Sequence, residues 1–245
     1  MLHGPQQRVF DVSFAVPSVC ADRLERGTAD IGIVPVFELL RQALEIVPGL
    51  GIASRGPVRS ILLISKVPAA EIQTLSADTS SRTSVVLSRI ILARKYNTHP
   101  AITPMDPGLD AMLAASDSAL IIGDPALHLD PVKLPYFVYD LGAEWTEMTG
   151  LPMVFAVWAA RPGILNPILV KAFADAYAYG RDRLEEILER EAPLRGFSAD
   201  LARAYLTRHI CFELGDRDRE GLGLYLRLAR EIVQSPVITS VVSAK

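Results

Sequence analysis

The sequence predicts an α/β protein, as one large domain or two similar lobes, closed by a segment that is helical throughout. Three observations carry that reading. Short apolar runs of strand character alternate with helical stretches as far as Ala160, as expected where strands and helices pack in layers. Two stretches, Leu24 to Val34 and Leu113 to Ile122, repeat one order: a helix end, small residues, an aspartate (Asp30, Asp117) and then an apolar strand. Beyond Pro162 the pattern changes to amphipathic helices with charged outer faces.

Val9 to Val16 is a β-branched and aromatic run with alternating character, closed by the turn residues Pro17-Ser18, and it reads as a strand. A helix from Val19 to Arg26 ends at Gly27, and Asp30 to Pro35 reads as a short buried strand. Together they form a strand-helix-strand unit, for which parallel pairing through a right-handed crossover is expected. A second helix, about Val36 to Ile46, carries Phe37, Leu40 and Leu44 at helical spacing, and Pro48-Gly49 is expected to stop it. Ile52 to Arg59 is extended, interrupted by Gly56-Pro57, and resumes as a strongly apolar strand from Ser60 to Val67.

Ile72 to Ser76 reads as a further strand, and Asp78-Thr79-Ser80-Ser81-Arg82-Thr83-Ser84 opens a helix running to about Tyr96. After a proline-punctuated loop, Asp106-Pro107 reads as a cap and first-turn proline for a helix to Ala115. Ala119 to Ile122 and Met153 to Ala160 read as buried strands. Helices are then expected at about Ile168 to Arg190, Ala199 to Phe212 and Asp216 to Gln234, serving as packing elements and not as a catalytic loop.

Composition excludes several function classes. With 50% hydrophobic and 22% charged residues over 245 positions, the chain has a globular composition and length enough to bury a sizeable core. Lys and Arg number 25 against 28 Asp and Glu, a net charge of −3, so no basic field points to nucleic acid or an anionic membrane. Any anion must be met by local positive potential. Cys20 and Cys211 are too few for a disulfide framework and read as small buried hydrophobes. His3, His99, His128 and His209 show no metal-ligand spacing. No apolar run approaches the roughly 18 residues of a membrane span, and Met1 to Arg8 lacks a long apolar signal segment, so a cytoplasmic chain is expected.

The chemistry concentrates in a few places. Thr79 to Ser84 places five hydroxyls beside Arg82 at a helix start, where unpaired N–H groups and the helix dipole receive anions. In Ser54-Arg55-Gly56-Pro57 a glycine lets backbone approach a ligand while Ser54 and Arg55 offer donors. Gly123-Asp124-Pro125 follows an apolar strand directly, at the carboxyl end where open α/β sheets bind ligands, and Asp124 could accept a proton or a hydroxyl. No nucleotide loop, dinucleotide fingerprint, nucleophile elbow or zinc-helix motif occurs.

Five segments in series resemble chorismate dehydratase of the futalosine route to menaquinone: Gly27 to Pro35, Ser54 to Val58, Ser80 to Ser84, Leu120 to Leu127, and Tyr139 to Gly142 continuing through Trp145 to Thr149-Gly150-Leu151-Pro152. They keep the family's order between Asp11 and Arg161. The resemblance implies a two-lobed, periplasmic-binding-protein-like fold of type II with a C-terminal helical segment. Residues 1–68 would begin the first lobe, 69–152 would form the second, and 153–245 would hold the return strand and the closing helices. The hinge is expected near Val67 to Ile72 and Leu151 to Val154.

The implied activity is removal of water from chorismate to give 3-[(1-carboxyvinyl)oxy]benzoate, in the cytoplasm, without metal or organic cofactor. The implied partner is a small anionic substrate, with neither nucleic acid nor membrane, for a monomer or homodimer. Carried over by position, Thr83 and Ser84 bind a carboxylate with Ser81 and Arg82 beside them. Pro35 and Val36 line the cleft, and Ser54, Arg55, Gly56, Gly123 and Asp124 complete the substrate site. The family's first strand, which ends in a Tyr-Leu-Asn motif with an active-site asparagine, has no counterpart here; a late start or a truncation is the expectation, and the catalytic residue stays unassigned. Two alternatives stand beside this reading: a solute-binding protein for an aromatic or dicarboxylate anion, and the sister 1,4-dihydroxy-6-naphthoate synthase. The sister's pattern requires a histidine where this chain has Gly123-Asp124.

Overall fold

The computed structural model describes residue 1, residues 4–7 and residues 9–234. The chain runs α1 (Pro17–Glu25), β1 (Ile31–Pro35), a 3₁₀ turn (Val36–Leu40), β2 (Glu45–Ser54), β3 (Ile61–Ser65), β4 (Thr74–Ala77), α2 (Arg82–Lys95), β5 (Ala101–Pro104), α3 (Leu109–Ala115), β6 (Ser118–Ile122) and α4 (Asp124–Leu127). It continues through β7 (Phe137–Asp140), α5 (Leu141–Thr149), β8 (Met153–Ala160), α6 (Pro167–Arg181), α7 (Leu184–Leu194), α8 (Ala199–Ala204), a π turn (Tyr205–His209), β9 (Cys211–Glu213) and α9 (Asp216–Gln234).

Two sheets form. The first has the order β1-β8-β2-β9 and is antiparallel throughout. The second has the order β5-β4-β6-β3-β7, with β4 parallel to β5 and β6, and β3 antiparallel to β6 and β7. The chain passes from the first sheet to the second at residues 55–60 and returns at 150–152. The first passage lies ahead of the 67–72 segment expected for the hinge, because β3 already belongs to the second sheet.

Several expectations are corrected. Residues 9–16 form no strand: a turn and a bend at 9–10 lead into an irregular stretch, and Phe14 stays 79% exposed. The parallel unit predicted there does not form, since β1 pairs antiparallel with β8. The helix expected over 36–46 is only the 3₁₀ turn. Pro48-Gly49 lies inside β2, at a register shift between Ile46 and Gly51 that the left-handed Gly49 (φ 76°) supplies. Asp106 caps nothing, for α3 starts at Leu109 behind Gly108 without a side-chain cap. The proline-punctuated loop contains β5, whose terminal Pro104 is tolerated because β5 is an edge strand. The long helix over 168–190 is two, broken after Arg181, and the C-terminal region is not purely helical, since β9 extends the first sheet. Cys20 and Cys211 are half-buried, not buried.

The core joins both sheets. Every residue of β3 is buried, as are seven of the eight in β8, so both read as unbroken apolar runs instead of alternating ones. Trp145 on α5 is fully buried and donates its indole N–H to the Pro152 carbonyl at 3.1 Å. It packs edge-to-face on Tyr225 of α9, which ties the returning segment to the last helix.

Candidate functional site

A cleft of about 710 Å³ opens between the two sheets. The first sheet contributes Pro35, Ile52, Phe155 and Ala156. The second contributes Asp78, Thr79, Ser80, Ser81 and Ser84 at the entry to α2, and Ile122, Gly123, Asp124 and Pro125 beyond β6. Met105, Asp106 and Pro107 close one rim, Ser60 and Ile61 lie where the chain crosses between sheets, and Tyr205 reaches in from the π turn.

The helix start is held by its own hydroxyls. Ser81 is the N-cap of α2 and its Oγ accepts from Ser84 N–H, while Ser84 Oγ donates to Ser81 Oγ at 3.0 Å. The N–H groups of Arg82 and Thr83 have no acceptor among the described residues, which is the ordinary state of a first helical turn and the reason it attracts anions. Asp78, only 4% exposed, accepts from Ser80 N–H at 2.8 Å and shapes the turn into the helix.

Beyond β6 the left-handed Gly123 (φ 73°) donates its N–H to the Ser60 carbonyl at 2.7 Å, turning the chain sharply at the strand's carboxyl end. Behind it Asp140 fixes the crossing segment. Its Oδ1 accepts from the N–H groups of Val58 (2.9 Å), Gly142 (2.9 Å) and Ala143 (3.1 Å), and its Oδ2 from Arg59 N–H (2.6 Å). One carboxylate thus caps α5 and pins the two residues that precede Ser60. The Arg59 guanidinium then donates to the Ala126 and Leu129 carbonyls, which anchors α4 to the same crossing.

The structure divides the residues expected at the site. Pro35, Ser81, Ser84, Gly123 and Asp124 line the cleft. The others are engaged elsewhere. Arg82 lies between Glu38 (2.8 Å) and Asp22 (3.1 Å), so its guanidinium neutralises a fully buried carboxylate on the 3₁₀ turn. Thr83 is fully buried; its Oγ1 accepts from Phe37 N–H at 3.2 Å, and its carbonyl accepts from the Tyr225 hydroxyl. Val36 is buried at the start of the 3₁₀ turn. Arg55 pairs with Asp218 at 2.9 Å, on the side of α9. Ser54 and Gly56 pack against Gly142, where an added Cβ would stand 2.6 Å from both Ser54 Oγ and the Gly56 carbonyl.

Among the described residues the cleft lining therefore holds three aspartates and no Lys, Arg or His. His128 stacks on Phe197 (4.4 Å between centroids) and His209 Nδ1 contacts the Pro57 carbonyl; with His99, neither joins the lining. No group of His, Cys, Asp and Glu among the described residues could hold a metal ion.

Sequence reasoning missed Ser60, Asp78 and Tyr205. Ser60 had a faint signal as a small polar residue at the head of an apolar strand. Tyr205 had none, since only its place in the π turn brings it to the cleft.

The sequence model of a family described by menaquinone biosynthesis matches residues 1–231. The chain belongs to that family. A chorismate dehydratase of Thermus thermophilus is 31% identical over 231 residues, covering 87% of this chain and 84% of the relative. A chorismate dehydratase of Campylobacter jejuni is 25% identical over 218 residues, covering 89% and 82%. Among solved structures, a protein from Archaeoglobus fulgidus superposes with a TM-score of 0.65 at 15% identity, covering 90% of this chain and 85% of the other. The periplasmic aliphatic sulphonate binding protein of Escherichia coli gives 0.60 at 18% identity, covering 93% and 82%. At such identities these structures show the fold alone: the two-lobed fold of periplasmic binding proteins, as the sequence resemblance implied. No helix among the described residues is long and apolar enough to cross a membrane.

Proposed function

We propose that this chain is a chorismate dehydratase, a hydro-lyase that converts chorismate to 3-[(1-carboxyvinyl)oxy]benzoate and water in the futalosine route to menaquinone. The observation that carries the reading is the likeness to the chorismate dehydratase of Thermus thermophilus over most of both chains, and the cleft between the sheets has the size and donors for a compact cyclic acid.

The reaction breaks a ring C–H and the ring C–O bond of the neighbouring hydroxyl, and the product ring is aromatic. That gain makes the step downhill, so the protein's task is orientation, removal of one proton and assistance to the departing oxygen. The ring carboxylate is conjugated with the carbon that loses its proton, so negative charge develops on its oxygens. The first turn of α2 brings the Ser81 and Ser84 hydroxyls to the cleft, and the helix dipole there stabilises that charge. Gly123 and Asp124 face it from the end of β6, and Pro35 and Phe155 supply the apolar wall for the ring. Closure of the sheets over the ligand would turn on residues 55–60 and 150–152, and a cytoplasmic enzyme is the reading we favour.

Incubation of the full-length gene product with chorismate, followed by mass spectrometry for the carboxyvinyloxy-benzoate, tests the proposal. Stoichiometric product formation is expected. Binding of chorismate without conversion would overturn the enzyme reading in favour of a solute binder.

A further inference from the structure

The π turn at Tyr205–His209 interrupts the chain between α8 and β9, and such one-turn widenings recur where a side chain has to be re-aimed at a site. Here the re-aimed side chain is Tyr205, whose hydroxyl donates to Ser60 Oγ at 3.0 Å. Both residues line the cleft, although they are 145 positions apart in sequence. Ser60 is 4% exposed and its carbonyl is already taken by Gly123 N–H. Burial pushes the Tyr205 phenol above its ordinary range, the Ser60 hydrogen bond works against that shift, and the Asp124 carboxylate adds to it. The tyrosine is protonated at neutral pH, and its O–H is the donor in the bond to Ser60.

A serine hydroxyl has one proton and two lone pairs. With Tyr205 donating to the oxygen, the serine's own O–H must turn to another acceptor, and none exists among the described residues. The unsatisfied donor stands at the cleft. We infer that Tyr205 is a positioning residue: by donating to Ser60 Oγ it holds the Ser60 O–H towards the departing oxygen of the substrate, where the hydrogen bond strengthens as the C–O bond breaks. This deepens the dehydratase reading and rests on it. No proton leaves Ser60 or Tyr205 in this arrangement: the C–O electron pair departs with the oxygen as hydroxide, which the Ser60 O–H stabilises, and the proton taken from the ring carbon completes the water, so nothing has to be restored on either residue between turnovers.

The test is a double-mutant cycle on chorismate turnover with Tyr205→Phe, Ser60→Ala and the pair. A hydrogen bond to developing charge is worth about 10- to 100-fold in rate, so each single variant is expected to lower kcat by at least about 10-fold with KM within about threefold. In the Ser60→Ala background the Tyr205→Phe change should cost less than about twofold further, since its route of action is already gone. Replacing Tyr205 by 4-aminophenylalanine, which keeps a donor in place, should recover most of kcat, whereas 4-methylphenylalanine should not. That comparison also decides the matter if the phenylalanine variant melts below the assay temperature. The inference is overturned by a Tyr205→Phe enzyme with kcat within twofold of wild type, by losses that multiply fully in the double variant, or by a loss confined to KM. If the wild-type protein leaves chorismate unchanged, the proposed function falls and this inference falls with it. An active wild type with an indifferent Tyr205 removes the inference alone.

Discussion

Asp140 is the most economical point at which to perturb the molecule, because four backbone N–H groups converge on its carboxylate. Replacing it with alanine removes the N-cap of α5, which costs about 1 kcal/mol. It also strands the N–H of Val58, a residue only 1% exposed, at about 2 kcal/mol, and that of the half-buried Arg59 at about 1 kcal/mol. The sum is about 4 kcal/mol, which for a chain of this size lowers Tm by roughly 8–16 °C. Asparagine is the informative control. Three of the four bonds fall on Oδ1, so an asparagine that presents its carbonyl there loses only the Arg59 bond and sets an amide donor against that N–H. It should cost about 1–2 kcal/mol. Thermal and urea unfolding of both variants measure the difference, and equal losses for alanine and asparagine, or an alanine loss below about 1 kcal/mol, would refute the assignment. Turnover adds a second readout. Val58 and Arg59 precede Ser60 directly, so the alanine variant should lose activity at temperatures where circular dichroism still reports a folded protein.

Gly142→Ala places a methyl 2.6 Å from the Gly56 carbonyl and Ser54 Oγ and 2.9 Å from Val58 N; overpacking against backbone should cost about 1–3 kcal/mol, measured by urea unfolding. Tyr225 is fully buried, donates to the Thr83 carbonyl at 3.1 Å, and is held far above the ordinary tyrosine range by burial. Because its folded pKa is raised, its contribution is complete below about pH 10, where unfolded tyrosine begins to ionise, and is lost as pH rises from there. Tyr225→Phe should therefore cost about 1 kcal/mol at pH 7, a deficit that narrows above pH 10; a gap independent of pH would refute the linkage.

What was legible in the sequence follows from periodicity and local chemistry. β6 and β8 were found because strands buried on both faces are unbroken apolar runs, and α2 because Ser81 caps a helix with a long apolar stripe. The run at Val9 to Val16 misled because alternation defines a face but not a neighbour. Pro48-Gly49 misled because punctuation that ends helices also builds bulges. Among the residues that line the cleft, Ser81, Ser84, Gly123 and Asp124 were legible because a capped helix N-terminus and a strand's carboxyl end leave local signals in the sequence. Arg82 and Thr83, between the two serines, point elsewhere: successive helical residues are turned about 100° apart, so a cluster of donors in sequence cannot all face one ligand. Tyr205 and Ser60 meet only through tertiary packing, which periodicity does not encode.

The electrostatics of the cleft turn on the same separation. With Arg82 committed to Glu38 and Asp22, positive potential at the cleft comes from the first turn of α2, equivalent to about half a charge, and from hydroxyl dipoles, while Asp78, Asp106 and Asp124 oppose it, the last partly offset by Arg195 at 3.9 Å. Of the three, Asp78 acts most strongly, since it is 4% exposed and the other two are open to solvent that screens them. Asp78→Asn removes that charge while an amide oxygen still accepts from Ser80 N–H, so the turn keeps its shape. Affinity for the dianionic product should rise about 3- to 10-fold, the increment expected for about 1 kcal/mol of repulsion at a partly hydrated site. The gain should shrink as ionic strength rises. Titration calorimetry of product into both proteins at low and high salt reads this directly. An affinity that falls would mean that Asp78 accepts a hydrogen bond from the ligand, and an unchanged one that the anion lies outside the reach of the α2 N-terminus.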